Sequence, residues 1–466
     1  MQGVIDERGN DMKKMLCLLM SLLMLLSLIA CGDNTATQTS GTDAETEKDS
    51  TSAVETAKTA ETSASGEKTK LTILRPGDEK KVRAFLEPVV EEFMKENPDI
   101  EVTIQYESWG GWISKYPTVF QAGTQPDVIF WWDKALCDMY AKGKILPIEE
   151  YIDPSILEEI PQNILDTCKI DGTLYHVPVD MYGFVMYYRK DIFEQAGLDP
   201  NSPPKTWEEL LEAAKQIKEK TGINPIGLPG KAGLESCHEM VAEFITQATG
   251  EPLLDENNQI TFNNDKGLEA LNYLNELMKY ADPNVTDYGR GDVRQLLKDG
   301  QIAIELGDST WAVPEFQAAF GENLDESKLG VAGAPTGPAG KYNWCGLDGW
   351  AIAQEATAEA SGRLITYLCS PEVSFQHHSV YGGMPYTNYE LEQPAFHYDF
   401  WNVFKAAVSD YTLIQRIGKY HPAPSAFYTE LEPIWQEMLM GSIDSETAIE
   451  EAVTAIDDIN SRYGIQ

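Results

Sequence analysis

The order of apolar and helical segments at the start of the globular part predicts an α/β fold with a parallel sheet. An apolar run at 71–74 and an alternating run at 101–106 flank a helix-like stretch at about 80–97. A continuous apolar run at 127–131 follows and suits a buried strand. Strand, helix, strand, helix, strand is the order that builds parallel sheets. The body from Thr69 onward is long enough for two ordinary domains.

Local signals place three further elements along the chain. Thr206 and Glu209 fit a capping box at the start of a helix with a periodic apolar face, and Gly222 stops it. The segment 253–262 is typical of a hairpin with two asparagines at its turn. A last helix is expected from about Ser445, again with one apolar face.

The N-terminus predicts export and a lipid anchor at Cys31. Two lysines precede a hydrophobic stretch that ends in Leu-Ile-Ala before Cys31, the order of a secretory signal segment. A cysteine directly after the cut resembles the bacterial lipoprotein signal, in which it becomes the lipidated N-terminus. The alternative is a spanning helix, but the apolar run is shorter than the ~20 residues that spanning requires. Residues 1–30 are therefore predicted as the signal peptide, with Met1 or Met12 as the start.

Residues 31–68 are predicted to be a flexible tether. Almost all of them are Thr, Ser, Ala, Glu, Asp, Lys or Gly, and none is aromatic. Such a segment buries too little apolar surface to offset the entropy of ordering. The five cysteines beyond Cys17 and Cys31 are widely spaced and contain no Cys-x-x-Cys, so we expect neither a disulfide framework nor a zinc site.

The formal net charge of −38 argues against nucleic acid and anionic membrane surfaces as partners. No Gly-x-Ser-x-Gly elbow is present, and His238-Glu239 lacks the second histidine of a metalloprotease motif. The segment 282–286 has alternating oxygen ligands but not the Gly or Glu of a calcium loop. We therefore expect no metal and no cofactor.

Tryptophans beside carboxylates or glycines are the second informative pattern. An indole covers the C–H face of a sugar ring, and a neighbouring carboxylate accepts hydrogen bonds from its hydroxyls. A tryptophan in a core is the alternative at each position. The aromatic candidates expected at strand ends or in loops are Trp109, Trp112, Trp131, Trp132, Trp311, Trp344, Trp350, Tyr381 and Tyr386, and the candidate carboxylates beside them are Asp133, Asp308 and Asp348.

Several segments, in this order after the lipoprotein signal, resemble the extracellular solute-binding proteins of ABC importers, in the group of maltose-binding protein. The matching stretches are 93–104, 122–128, 175–193, 204–210 and 300–311. The resemblance implies a two-lobed periplasmic-binding-protein-like fold of type II, closing at a hinge. Lobe one would be 69–180 plus 350–384, and lobe two 183–348 plus 386–466.

The resemblance also implies ligand contacts in the cleft between the lobes. Trp131, Trp132 and Asp133 match the sugar-contact position after the third strand, and Trp311 matches the stacking tryptophan of lobe two. Residues 346–350 match a glycine-rich crossing that lines the cleft, and Tyr182 lies at the first crossing. With lower support, Trp109 falls in a loop that reaches the cleft; the double tryptophan and this loop are not general family features.

The function predicted is capture of a carbohydrate, expected to be an oligosaccharide, for delivery to an ABC permease from the outer face of the cell membrane. The protein is expected to be a monomer that binds at equilibrium without catalysis. A lipid-anchored carbohydrate-active enzyme, a receptor for a non-sugar solute and a sensing receptor are the alternatives.

Overall fold

The structure is a computed structural model that describes residues 67–77, 79–132, 139–140, 142–234, 236–324, 328–415 and 421–465. The signal peptide, Cys31, nearly all of the predicted tether and Asp133 lie outside these residues. For Trp109, Trp131 and Trp132 the backbone is described and the side chain is not. Within the described ranges, no helix combines the length and apolarity needed to cross a membrane.

The strands form two main sheets and one small ladder within the described residues. They are β1 (Thr69–Pro76), β2 (Ile100–Glu107), β3 (Val128–Trp132), β4 (Lys169–Ile170), β5 (Thr173–Leu174), β6 (Val177–Gly183), β7 (Val185–Arg189), β8 (Ile226–Gly227), β9 (Ile304–Asp308), β10 (Leu329–Gly333), β11 (Tyr342–Ile352) and β12 (Thr412–Gln415).

The helices of the same ranges surround these sheets. They are α1 (Glu79–Glu96), α2 (Trp109–Gln121), α3 (Pro154–Glu158), α4 (Gln162–Thr167), α5 (Lys190–Gln195), α6 (Trp207–Thr221), α7 (Ser236–Thr249), α8 (Asp265–Met278), α9 (Arg290–Lys298), α10 (Val313–Phe320), α11 (Ala358–Leu368), α12 (Pro371–His377), α13 (Asn388–Leu391), α14 (Trp401–Ser409), α15 (Pro424–Leu439) and α16 (Ser445–Arg462), with a π-helical turn at His378–Gly382.

The first sheet has the strand order β12-β11-β3-β1-β2, with β6 also paired to β11. Strand β1 runs parallel to β2 and β3, which agrees with the parallel sheet predicted from the strand and helix order. Strand β11 runs antiparallel to β3 and β6 and parallel to β12. Because β11 is antiparallel to β3, the middle of β11 lies beside the carboxyl end of β3.

The second sheet has the order β10-β7-β9-β8. The chain passes from the first sheet to the second at Phe184, between β6 and β7, and returns between β10 and β11. Strands β11 and β12 pair in the first sheet, whereas the predicted lobe boundaries assign 342–348 and 412–415 to lobe two. Strand pairing alone does not define a lobe, so those boundaries stay a prediction.

Local capping explains where helix α6 begins and ends. The Thr206 side chain accepts a hydrogen bond from the Glu209 amide, as the capping signal predicts. The Glu209 carboxylate instead accepts from the amide of Lys205, one residue before the cap. Gly222 ends the helix with φ +80°, a left-handed conformation that glycine adopts without steric cost.

Two local predictions are wrong or only partly met. The segment with Trp109 and Trp112 is not a loop but the first turn of α2, because the Ser108 side chain caps the amide of Gly111 at 3.0 Å. Trp112 is fully buried with its ring edge-on to Tyr116. The predicted hairpin at 253–262 is reduced to an isolated bridge between Leu254 and Ile260.

Two large apolar clusters hold the described residues together. One contains α6, α8 and α16 side chains such as Leu210, Leu271 and Ile456. The other packs α1 and α11 on the first sheet through side chains such as Phe93 and Leu364. Of the described cysteines, those at 168, 237 and 369 are buried and Cys345 is half-buried.

Candidate functional site

Strand register gathers charged and aromatic positions at one edge of the first sheet. Asp348 of β11 lies opposite Trp132, the last residue of β3, and opposite Asp180 of β6 on its other side. Arg75 is the second-last residue of β1, which is parallel to β3. Ligands of α/β sheets bind outside the carboxyl ends of parallel strands, so this edge is where a ligand is expected.

Arg75 is a buried cation held by aromatic rings. It is 3% exposed, and its guanidinium carbon lies 3.6 Å from the ring centroid of Phe130 and 5.2 Å from that of Tyr381. One guanidinium nitrogen donates to the carbonyl of Pro76. Among the described residues no carboxylate lies within ion-pair distance of Arg75. A buried arginine is usually paired with an anion. Here the Arg75 side chain also donates to the Tyr381 hydroxyl, and its charge acts on the nearby Asp180 carboxylate.

Asp180 is a buried carboxylate set against two histidines. Its two oxygens lie 3.4 Å from His378 Nε2 and 3.7 Å from His377 Nε2. His378 Nε2 donates to the Val179 carbonyl at 2.8 Å, and its Nδ1 contacts the Glu390 carboxylate. Burial alone would lower the pKa of His378, but Glu390 and Asp180 outweigh it and raise that pKa to about 10. His378 is therefore a fixed positive charge.

Asp180, His377 and His378, called the trio below, are close enough together to be considered as metal ligands. Ligand atoms of Asp180, His377 and His378 lie within 4.8 Å of one another. A metal needs a neutral imidazole with a free lone pair. Both ring nitrogens of His378 donate to oxygens, so this ring has no lone pair to offer. The trio suits a structural charge network better than a metal site.

Trp311 and Tyr182 form a tilted aromatic pair at the passage between the sheets, with 57° between their ring planes. The two ring centroids are 4.2 Å apart, and Trp311 is half-buried while Tyr182 is fully buried. The guanidinium carbon of Arg290 lies 5.5 Å from the Trp311 ring centroid and 5.1 Å from that of Phe184. A guanidinium over an indole is attracted to the face of the ring, so Arg290 stabilises the position of Trp311.

Arg290 is fixed by two oxygen atoms, one in strand β9 and one in helix α7. It donates to the Gly307 carbonyl at 2.7 Å and to the Glu239 carboxylate at 2.7 Å. Burial raises the pKa of Glu239, and the charge of Arg290 opposes that rise. Trp344 is buried with its indole N–H directed at Glu239. Trp344 thus supports the Glu239 carboxylate that holds Arg290.

The structure gives Asp308 a partner within the protein. Its two carboxylate oxygens lie 2.6 Å and 3.0 Å from two nitrogens of Arg294, and one of them also accepts from the Ser309 amide. Arg294 continues to Glu315 at 2.8 Å. The predicted role of Asp308 as a hydroxyl acceptor is not tested, but its oxygens are already used by these donors.

Trp350 lies in the core of the first sheet. It is 2% exposed, and its ring meets Phe130 edge-on with centroids 4.8 Å apart. The backbone of Trp131 pairs with Gly349, and that of Trp132 pairs with Asp348. Of the predicted residues, register and ring contacts therefore bring together Trp132 with Asp348 at one edge and Tyr182 with Trp311 at the passage.

Sequence reasoning missed Arg75, Arg290 and Glu239. An arginine closing an apolar strand before Pro-Gly was a usable signal for Arg75, because the interior of that strand is otherwise apolar or small. Arg290 lies in a segment with no motif, and only its tertiary contact places it beside Trp311. Tyr381 is one of the aromatic residues expected at strand ends or in loops, but only the structure sets its ring beside Arg75.

Fold and site together define a class, the two-lobed α/β binding proteins, with one sheet in each half and aromatic and charged groups where they meet. The family of bacterial extracellular solute-binding proteins matches residues 77–374, and the chain belongs to this family. The prediction of family and of the two-lobed fold is confirmed. Members of the family are binding proteins, which agrees with the expectation of a non-enzyme.

Two relatives illustrate the range of the family. A binding protein of Brucella abortus is 28% identical over 270 residues, which is 57% of this chain and 63% of the relative. The sn-glycerol-3-phosphate-binding periplasmic protein of Rhizobium meliloti is 26% identical over 352 residues, 68% of this chain and 76% of that one. The first of these matches therefore spans less than two thirds of the relative's length.

A solved structure matches most of the chain. The ABC transporter solute-binding protein of Thermotoga lettingae, bound with alpha-D-tagatose, has a TM-score of 0.72 and 25% sequence identity. The match covers 84% of this chain and 99% of that chain. Its coverage is consistent with a body that begins after the predicted tether.

Proposed function

We propose that this protein captures a carbohydrate, an oligosaccharide in particular, between its two lobes and delivers it to an ABC permease. The observation that carries the proposal is the Tyr182–Trp311 aromatic pair beside the edge of the first sheet that holds Arg75, Asp180 and Asp348. The two meet because Gly382, which follows Tyr381, lies directly against the backbone of Trp311. A ring surface next to donors and acceptors is what a sugar requires.

Each group has a defined part in this proposal. Trp311 stacks on one sugar face, and Trp131 or Trp132 covers another. Asp348 and Asp133 accept hydrogen bonds from hydroxyl groups. Arg75, which was not foreseen from the sequence, donates to hydroxyl or ring oxygens, since its guanidinium carries several N–H donors and has no carboxylate partner among the described residues.

The chemistry is equilibrium binding. One ligand that touches both lobes stabilises the arrangement in which they are close, and it shifts the population towards that arrangement. The sheet-to-sheet passage at Phe184 supplies a single residue between two strands where the backbone can bend. Nothing in the proposal requires a bond of the sugar to break.

Delivery to a permease and tethering by lipid on Cys31 complete the proposal. The support is the lipoprotein-like signal before Cys31, the polar segment after it and membership of an extracellular solute-binding family. A lipid chain would keep the binding body near the permease while the segment 32–68 lets it move.

A thermal-shift screen of the full-length protein tests the ligand class. Neutral mono- and oligosaccharides, polyols and sn-glycerol 3-phosphate are each added at millimolar concentration. A ligand that binds the folded state raises the melting temperature by mass action. The proposal expects shifts with neutral saccharides and intact saccharide recovered after incubation. Shortened products would indicate an enzyme instead.

A non-sugar anionic solute is the second candidate, and Arg75 is the observation that favours it. A buried guanidinium without a carboxylate partner in the described residues suits a phosphate as well as a hydroxyl. Asp180 and Asp348 lie opposite each other on the paired strands β6 and β11 of the same sheet, and their charges oppose an anion at this edge. A shift with sn-glycerol 3-phosphate and none with saccharides would select this candidate.

A further inference from the structure

The π-helical turn His378–Gly382 touches the segment that carries Trp311. A Cβ atom placed on Gly382 would lie 2.7 Å from the Thr310 carbonyl oxygen, 2.8 Å from Pro314 Cδ and 2.9 Å from Trp311 Cα. These distances are shorter than real Cβ contacts, and Gly382 has φ +93°. Only glycine allows this approach in this conformation.

The turn is anchored to the first sheet, so it moves with that sheet. His378 donates to the carbonyl of Val179 in β6, faces Asp180 and contacts Glu390. His377 stacks between the rings of Phe85 and Tyr381 at centroid distances of 4.9 and 5.5 Å. A contact of this turn with Trp311 is therefore a contact between the two halves of the molecule, the one built on the first sheet and the one built on the second.

An ion pair makes a second bridge between the same halves. Lys81 in the first turn of α1 lies 2.7 Å from Glu315 in α10, the helix that follows Trp311. Glu315 is also held by Arg294 at 2.8 Å. Burial opposes its ionisation, but Arg294 and Lys81 lower the pKa of Glu315 to about 2. The carboxylate is thus charged at any working pH, and the Lys81 side chain is 26% exposed to salt.

We propose that Gly382 and the Lys81–Glu315 pair are positioning groups for Trp311. They hold the stacking ring at the first sheet's edge only while the two halves are together, so they couple closure to ligand affinity. This inference rests on the proposed function of solute capture. It adds that the affinity for an uncharged ligand depends on ionic strength, because salt weakens the Lys81–Glu315 attraction.

The ion pair is tested with Lys81→Gln, and Lys95→Gln is the matched control. Lys95 lies in the same helix and forms a pair with Glu92 at 2.7 Å, inside one half of the molecule. The Lys81 variant should bind the tightest saccharide of the screen about two- to fivefold more weakly, the range for partly exposed pairs. The control should bind like wild type. Raising NaCl from 20 to 500 mM should weaken wild type and leave the Lys81 variant unchanged.

The close approach is tested with Gly382→Ala, and Gly222→Ala is the matched control. Gly222 has φ +80° with open space around its Cβ position, so its variant measures the cost of the left-handed conformation alone. Overpacking predicts that Gly382→Ala loses roughly tenfold or more in affinity. If the added methyl group separates the two halves without straining either of them, the melting temperature of Gly382→Ala should fall no further than that of Gly222→Ala.

Small-angle X-ray scattering without ligand separates this inference from the proposed function. Gly382→Ala and Lys81→Gln should increase the radius of gyration over wild type, and the two control variants should not. Unchanged scattering would overturn the inference even if no saccharide binds. If saccharides bind, equal or tighter affinity in both variants would overturn it while the proposed function stands. A wild-type protein that binds no saccharide would contradict the proposed function and not this inference.

Discussion

Replacing Trp311 with alanine removes the ring on which the proposed ligand stacks. The ring centroids of Trp311 and Tyr182 are 4.2 Å apart, and most of the Trp311 side chain is already covered by the protein. A large aromatic side chain buries roughly 150–250 Å², so roughly 50 Å² of it remains for a ligand. At ~25 cal/mol per Å² this amounts to about 1.3 kcal/mol. The dissociation constant should therefore rise roughly ninefold.

Isothermal titration calorimetry with the tightest saccharide of the screen measures this change. Trp311→Phe is the matched variant, because it keeps an aromatic face and should recover most of the affinity. Melting curves of both variants establish that they are folded. A folded Trp311→Ala variant with wild-type affinity would refute the stacking role, and an equal loss in both variants would point to a packing role instead.

Three further predictions concern stability. His378→Gln should remove a loss of stability that wild type shows as pH rises from 6.5 to about 10, because folded His378 keeps its proton over that window and the unfolded chain does not. Burial raises the pKa of Glu243 from 4.5 to about 8, so the free energy of unfolding should fall as pH rises through that window, and Glu243→Gln should flatten the fall in denaturant titrations at several pH values. Arg294→Met should cost about 3–5 kcal/mol in urea unfolding because it leaves Asp308 charged and buried, whereas Arg363→Met, at an exposed pair, should change little.

Each of these three predictions has a result that contradicts it. A His378→Gln variant with the same alkaline slope as wild type would mean that another group titrates there. A Glu243→Gln variant that loses stability at every pH by the same amount would mean that Glu243 is already ionised in the folded state. An Arg294→Met variant as stable as Arg363→Met would mean that the buried carboxylates are compensated elsewhere.

Local signals predicted the elements whose physics is local. The strands at the start of the body and the helix from Thr206 to Gly222 depend on apolar periodicity and on caps only a few residues apart. The prediction of a loop at Trp109 was wrong. Two glycines suggested a loop there, while the Ser108 cap and the burial of Trp112 and Tyr116 favour a helix.

The charged part of the site was beyond local reasoning. The fold brings Asp180 to His378 and Glu390, which lie far from it along the chain, and no spacing rule joins the three. Arg75 acquires its significance from Phe130 beneath it and Tyr381 beside it. Trp311 was named from a family resemblance, but its contact with Gly382 required the tertiary structure.

A crystal structure of the protein with the tightest ligand of the screen is the most direct test of the central claim. We expect a saccharide ring against Trp311, with its hydroxyl groups on Asp348 and Arg75 and protein from both sheets around it. A ligand bound elsewhere, or one whose charged group pairs with Arg75 while Trp311 makes no contact, would contradict the proposed function.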